Sequence, residues 1–517
     1  MHKKIFAAAR APDVCANLAG GVAYQMPPEA ALAQYVLTGC FNSTYYADAA
    51  QDTQRIVDLA NQVEPLFLAQ LAVYGREKGY MKDAPALLAA MLSVRSPQLF
   101  QAVFERVIDS AKMLRNFVQA IRSGVAGRKS LGSGPKAAVS RWLNGASTTA
   151  LVNGSVGNDP SLADVVRLAR PKAPDNERAA LYGWLIGKVQ DDAALPQLVR
   201  ELRSFLESPE GAQVPHVDFR LVDSKLTDAQ WAQIAAVAPW QMTRMNLNTF
   251  QRHGVFEDSA MVQRIADRLS NPDRIRGARV FPYQLLAAYQ VASANQLARP
   301  VVDALHEALE HAVGNVPALA GRVAVFPDVS GSMSHAVTGS RKGSTSSVRC
   351  IDVAAMVAAT LLRRNPDAIV MPFEQDVVDR VVVEPRDTIM SNAKRLAAIG
   401  GGGTACSAPL RRMLERGLAA DLLIYVSDNE SWFDGVAAAG PRRTQSQEAW
   451  LQYKRRHPAA KLVCIDLTPN TTVQVRSAPD VLNVGGFSDH VFEVVGRFQR
   501  GDLDGDGMVT AVREVNV

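Results

Sequence analysis

The sequence predicts a mainly α half followed by an α/β half, and three observations carry that fold class. The chain has 517 residues, more than one hydrophobic core usually organises, so two or more domains are expected. From about residue 28 to residue 316, apolar residues recur at three- and four-residue spacing with almost no alternating strand pattern. At Gly321 the grammar changes to short β-rich apolar runs separated by helical segments. With 48% hydrophobic and 21% charged residues, the composition is that of a globular protein, neither disordered nor fibrous.

In the first half, residues 30–37, 53–74, 84–92 and 98–121 read as helices, punctuated by Gly79, Ser96-Pro97, Gly124, Gly127 and the run 132–135. Further helices are expected at 161–168, 177–189, 195–206, 228–237, 242–253 and 259–270. Stacked helix pairs of this kind build solenoids, although no strict sequence period is legible. In the second half, strands are expected at 322–327, 368–373, 377–383, 422–426, 461–467 and 481–484. Helices at 351–363, 388–399, 407–418, 445–456 and 489–498 fall between most of them. That alternation means a mainly parallel sheet covered on both faces. The expected domains are therefore 1–318, helical, and 319–500, α/β, with 501–517 as an acidic C-terminal tail.

Several classes are excluded early. Cys15, Cys40, Cys350, Cys406 and Cys464 are few, odd in number and far apart, which gives neither a disulfide framework nor a metal spacing. No run of about 18 apolar residues suggests a membrane span, and the basic start lacks the apolar stretch of a signal peptide. A cytoplasmic protein with no membrane partner is expected. The net charge of +5 says little over this length, but its distribution says more. Between Arg106 and Arg141 stand eight basic residues against one acid, Asp109. Such a stretch attracts phosphate backbones, although a solvated helix face is the plainer alternative.

The most specific signal is Asp328-Val329-Ser330-Gly331-Ser332, directly after the first strand of the α/β half. Gly400-Gly401-Gly402-Gly403-Thr404 precedes a helix, and Asp428 follows the strand at 422–426. Ligands of open α/β sheets gather beyond the carboxyl ends of the strands, where all three segments are expected. Carboxylate and hydroxyl oxygens with water suit a hard divalent cation such as Mg²⁺, and no Cys or His cluster favours zinc. The alternative is a polar turn with a helix cap. The pattern resembles the metal-ion-dependent adhesion site of von Willebrand factor A domains. That resemblance implies that Asp328, Ser330, Ser332 and Thr404 contact the metal or its waters and that Asp428 acts through water. It also implies binding, with a free metal position for a partner's carboxylate.

Taken together, the halves resemble the Ro autoantigen ring proteins, a TROVE module followed by a von Willebrand A domain. The segments that carry the likeness run along nearly the whole chain. They include Leu37-Thr38-Gly39-Cys40-Phe41 with Thr44-Tyr45-Tyr46, Val73-Tyr74-Gly75-Arg76, and Met81-Lys82-Asp83-Ala84-Pro85. Met242-Thr243-Arg244-Met245-Asn246-Leu247 and Ala278-Arg279-Val280-Phe281-Pro282-Tyr283 continue the series. In the α/β half, Gly403-Thr404-Ala405-Cys406-Ser407, Ser427-Asp428-Asn429-Glu430-Ser431, the stretch 464–468 and Gly486-Phe487-Ser488 follow in order.

The resemblance implies a HEAT-like helical solenoid closed into a ring by a Rossmann-like A domain, in a monomer. It implies that single-stranded 3′ ends of misfolded or structured RNA enter a basic cavity, and that small Y-type RNAs bind outside. An exoribonuclease partner and a role in RNA quality control follow from the same likeness. The expected RNA contacts are Arg122, Arg128, Lys129, Lys136 and Arg141, with Arg167, Arg170 and Lys172 one turn further along. Lys136 reads equally well as a plain surface lysine, and Trp142 better as core than as a stacking platform.

Departures also stand in the sequence. The stretch Asn153-Gly154-Ser155-Val156-Gly157 lacks the basic residues of Y RNA-binding relatives, and a leucine stands where their histidine aligns. Asp502-Leu503-Asp504-Gly505-Asp506-Gly507 imitates a calcium loop, but Arg513 occupies the twelfth position, so a flexible tail is the preferred reading. Catalysis is not expected, because Ser330 has no evident His partner and no phosphate-binding Gly-x-x-x-x-Gly-Lys run occurs. A cation-dependent protein-binding scaffold is the alternative function.

Overall fold

The structure is a computed structural model. It describes residues 13–39, 42, 47–157, 159–189, 191–278, 280, 282–314, 316, 318–339, 348–432, 434, 443–486 and 490–517. Cys40, Phe41, Thr44, Tyr45, Tyr46, Arg279, Phe281, Phe487 and Ser488, all from segments that carry the family resemblance, lie outside the described residues. The chain divides into two compact units. One gathers Met1–Val63, Ile275–Val291 and Leu305–Glu514, and the other gathers Glu64–Arg274, Ala292–Ala304 and Val515–Val517.

The strands all lie in the first unit: β1 Val14–Ala16, β2 Val22–Gln25, β3 Val323–Pro327, β4 Ile369–Val370, β5 Leu422–Ser427, β6 Lys461–Asp466, β7 Thr472–Val473 and β8 Val481–Gly485. Five of them make a parallel sheet in the order β4-β3-β5-β6-β8. Strands β3, β5 and β8 are buried along their whole length, as expected for near-continuous apolar runs covered on both faces. Against one face pack Phe326, Phe373, Tyr425, Trp450 and Tyr453. The helix Cys350–Arg364, apolar almost all round, packs against β3 and β5. The expected strand at 377–383 does not form. Val382 is exposed there, and only the start of the segment is held, by the bridge between Phe373 and Val377 and by Val378 N donating to Pro372 O at 2.8 Å. Beyond Val378 the valines are not drawn into the core, so burial does not fix them in a ladder.

The expected boundary after residue 318 marks the change of grammar but not the division into compact units. Strand β2 pairs with β7 through Tyr24↔Val473 and Gln25↔Thr472, so the N-terminal hairpin belongs to the α/β unit. The helix Pro28–Thr38 buries Leu32, Tyr35 and Val36 in the same unit, packed against β8. The expected tail at 501–517 is also corrected. Gly507–Arg513 is a helix with Met508, Val509 and Val512 buried, and Arg513 reaches Glu29 at 2.7 Å. Its apolar residues outweigh the acidic loop before it.

The helical unit breaks where proline or a cap dictates. The expected helix 53–74 divides into Ala49–Gln62 and Pro65–Glu77, and 98–121 into Pro97–Val107 and Ala111–Ser123. Pro65 and Pro97 sit in the first turn, where a missing N–H costs nothing. Ser110 caps the next helix by accepting from Met113 N, and Gly124 closes it in the left-handed region. Phe100, Phe104 and Phe117 lock these two helices, with ring centroids 5.2 to 5.7 Å apart. The helix Ser133–Gly145 begins within the expected glycine-rich break, because Ala138, Val139 and Leu143 give it a buried face.

Candidate functional site

The parallel pairing of β3 with β5 sets Pro327 opposite Val426, so Asp328 and Asp428 emerge at neighbouring strand ends. Asp328 N donates to Val426 O at 3.0 Å, which holds the loop on the sheet edge. Both carboxylates are fully buried, and Ser330, Ser332 and Thr404 are nearly so. Ser330 N donates to Asp328 Oδ1 at 2.9 Å, and the Ser330 and Ser332 hydroxyls lie 3.3 Å apart. The Ser332 hydroxyl donates to the Asp428 carboxylate. The glycine run joins through Gly331 N, which donates to Gly402 O at 3.1 Å. Gly402 has φ +77°, a left-handed conformation that favours glycine, and its bare Cα leaves room for the Glu374 carboxylate. Thr404 is held from behind, its carbonyl accepting from Ser431 Oγ and Trp432 N, each at 3.2 Å.

The electrostatics favour a cation. Burial and the charge of Asp428 push Asp328 up to about 7, against bonds from Ser330 and Ser427. Burial also raises Asp428, and burial with Asp428 pushes Glu430 up to about 8. Asp428 Oδ2 is buried without a hydrogen-bond partner. An orphaned carboxylate oxygen facing a set of hydroxyls fits a hard divalent ion, which would relieve the repulsion between the two acids. Among the described residues no three His, Cys, Asp or Glu side chains converge, so such an ion would rely on hydroxyls and water as well as carboxylate. Cys350 Sγ lies 3.3 Å from His335 Nε2, but burial and the neighbouring aspartates hold its thiol well above the usual range. It would be a poor zinc ligand as the neutral thiol.

Some residues of this network were not singled out from sequence. Ser427 Oγ donates to Asp328 Oδ2 at 2.5 Å and accepts from Asn429 N at 2.9 Å. Its signal was a polar residue ending the apolar strand β5. Glu430 Oε2 accepts from Ala19 N at 3.2 Å, and Gln34 Nε2 donates to Asp466 Oδ2 at 2.9 Å. Neither contact has a local signature, because the partners are more than 400 residues apart.

The expected RNA contacts all lie in the helical unit. Arg122 is exposed in the last turn of Ala111–Ser123, and exposed Lys129 follows in the next loop with its stem against Gly124. Half-buried Arg128 donates to Ser130 O at 2.8 Å. Lys136 and Arg141 are exposed on the helix Ser133–Gly145, Arg141 engaged by Glu105 at 3.1 Å and Gln101 at 3.0 Å. Arg167 is shared between Asp164 and Ile186 O, while exposed Arg170 and Lys172 follow the helix Leu162–Ala169. The basic-poor stretch 153–157 is met by charge from elsewhere. The Arg115 guanidinium lies against Gly157, and Arg220 is close enough to pull Arg115 below its ordinary value, after burial.

Residues 322–499 match the Ro60 vWA domain. The chain is 27% identical to the RNA-binding protein RO60 of Deinococcus radiodurans, over 94% of this chain and 95% of that protein. The RNA-binding protein RO60 of Caenorhabditis elegans is 22% identical over 48% of this chain and 38% of its own length. The crystal structure of the Deinococcus radiodurans RO (RSR) protein superposes with a TM-score of 0.60 at 23% identity, covering 92% of this chain and 100% of that one. At that identity the superposition speaks for the fold.

Proposed function

We propose that this chain, whose residues 322–499 match the Ro60 vWA domain and which is 27% identical to an RNA-binding protein RO60 over 94% of its length, is a Ro-type protein that binds RNA without cleaving it. The observation that carries the reading is the exposed basic surface of the helical unit, where Arg122, Lys129 and Lys136 have no ion pair among the described residues. Such side chains track phosphates with little sequence preference, which suits single-stranded 3′ ends of misfolded or structured RNA. Small Y-type RNA is the second expected ligand, with Arg115, whose guanidinium lies against Gly157, supplying charge that 153–157 lacks; Arg220 beside it is paired with Asp218 at 2.5 Å. An exoribonuclease is the expected protein partner.

In this reading Asp328, Ser330, Ser332, Thr404 and Asp428 hold a divalent cation, Mg²⁺ by the hardness of the oxygen donors. The ion would supply an electrophilic position for a partner's carboxylate. The protein's own residues fix the hydroxyls and exclude bulk water, since all five are buried or nearly so. Ser330 bonds to Ser332 rather than to a histidine, which supports holding rather than nucleophilic attack.

The test is fluorescence anisotropy of a duplex with a single-stranded 3′ overhang against a blunt duplex, across several salt concentrations. Salt-sensitive preference for the overhang, reduced by neutralising Arg128, Lys129 and Lys136, is the expected result. Equal weak binding to both would favour the second reading, a cation-dependent protein scaffold. One observation speaks for that alternative: Trp432, 46% exposed and hydrogen-bonded through its N–H to Thr404 O, gives the cation site an apolar rim.

A further inference from the structure

A second cationic feature lies in the helical unit, far in sequence from the basic stretch already described. The helix Ser259–Ser270 places Arg264 and Arg268 four residues apart on one face, and Arg274 follows in Pro272–Ala278. With Ala236, Ala260, Gln263, Asp267 and Asn271 they line a recess of about 690 Å³. Asn271 Oδ1 accepts from Arg274 N at 3.0 Å and so fixes the turn between the two helices.

Arg268 forms the floor, only 7% exposed. Its guanidinium donates to Ala235 O at 2.7 Å, Ala236 O at 2.5 Å and Thr243 Oγ1 at 3.0 Å, all neutral acceptors. The carbonyls end the helix Asp228–Val237, whose dipole offsets part of the buried charge. No carboxylate pairs with Arg264, Arg268 or Arg274 among the described residues. The one acid in the recess, Asp267, is already engaged by Gln263 Nε2 at 2.7 Å. Burial and the charges of Arg274 and Arg264 pull Arg268 below its ordinary value, the sign expected for a cation without a counter-ion.

Buried arginines are rarely left without an anion, and three guanidinium groups against one occupied carboxylate leave a net positive recess. Guanidinium forks match the oxygens of phosphate, and the volume admits that group with part of a nucleotide. We infer that the recess lined by Arg264, Arg268 and Arg274 binds a phosphate group of an RNA backbone. The RNA half of this statement rests on the function proposed above. The phosphate half rests on the recess alone.

The experiment uses the full chain and the double variant Arg264→Gln/Arg274→Gln, both positions exposed, so that the fold is retained. Arg268 is left intact, because its three bonds tie helices together. A labelled single-stranded oligouridylate is titrated by anisotropy at several salt concentrations. In parallel, thermal unfolding is followed in inorganic phosphate and in chloride at equal ionic strength. The double variant is expected to bind RNA several-fold more weakly, with a log–log salt slope shallower by about 1–2. Phosphate should raise the unfolding temperature of the wild type and not of the variant. Unchanged RNA affinity and slope in the double variant, beside loss of its phosphate response, would overturn the RNA assignment and leave free phosphate as the ligand. Loss of neither response overturns the site. If the wild type binds no RNA, the proposed function fails and the phosphate arm alone decides the recess.

Discussion

The sheet edge and the helical surface handle charge in opposite ways. At the edge, two aspartates are fully buried and fixed by hydroxyls and backbone N–H groups; burial raises both, and the charge of Asp428 raises Asp328 further. On the helical unit, basic side chains stand in water, some of them, such as Arg141 and Arg167, already engaged by acids. The first arrangement is pre-organised and, in the proposed reading, would suit one small ion. The second is adaptable and suits a long, variable polyanion. Affinity at the first should therefore depend on single atoms, and at the second on how many charges remain.

The largest expected effect is on the metal. Mg²⁺ should raise the unfolding temperature of the wild type, by about 2.7 kcal/mol of stability at a hundredfold excess over Kd. EDTA should reverse it and Asp428→Ala abolish it, as read by thermal unfolding. A Mg²⁺ response surviving in Asp428→Ala would remove that residue from the site. Because Asp328 is pushed up to about 7, protons compete with metal below that value. The stabilisation by Mg²⁺ should accordingly be greater at pH 8 than at pH 6.

Next comes the helical surface. Neutralising Arg128, Lys129 and Lys136 together should weaken RNA binding by about 10- to 100-fold at low salt and flatten the log–log slope by about 2–3. Arg141→Gln alone should do less than Lys129→Gln, because Glu105 already screens Arg141. Anisotropy titrations of the two single variants check the order. The reverse order would mean that the ion pair opens on binding.

A smaller effect sharpens the contrast between buried acids. Asp52 is buried, with Arg55 no nearer than 3.9 Å, and burial pushes it up to about 6 from its ordinary 3.8. A folded-state value above the unfolded one means that ionisation costs stability. The cost is absent below about pH 4 and complete above about pH 6. Asp52→Asn should therefore stabilise by on the order of 1 kcal/mol at pH 7–8 and leave pH 4 unchanged in urea unfolding. The same change at Asp428 should instead lose the metal response.

Much of this was legible where chemistry is local. The Asp-x-Ser-x-Ser turn, the glycine run and Asp428 are each a few residues long, and strand β5 ends one residue before Asp428, as its apolar run indicates. Helix ends were less legible, because Val63 to Pro65 and Ile108 to Ser110 interrupt apolar periods that continue on either side. The recess of Arg264, Arg268 and Arg274 carried no sequence signal, since scattered arginines on helices usually point to water.

By itself, then, the sequence determined the two grammars, the order of the central strands' segments and the oxygen-rich Asp-x-Ser-x-Ser turn, because periodicity and turn chemistry act over a few residues. Tertiary structure alone decided that the N-terminal hairpin completes the α/β unit, that Ser427 and Glu430 stand behind the aspartates, and that the chain's end is a packed helix. The physical reason is that these outcomes depend on burial and on hydrogen bonds between residues up to several hundred positions apart. No local pattern encodes which distant surface will remove a side chain from water.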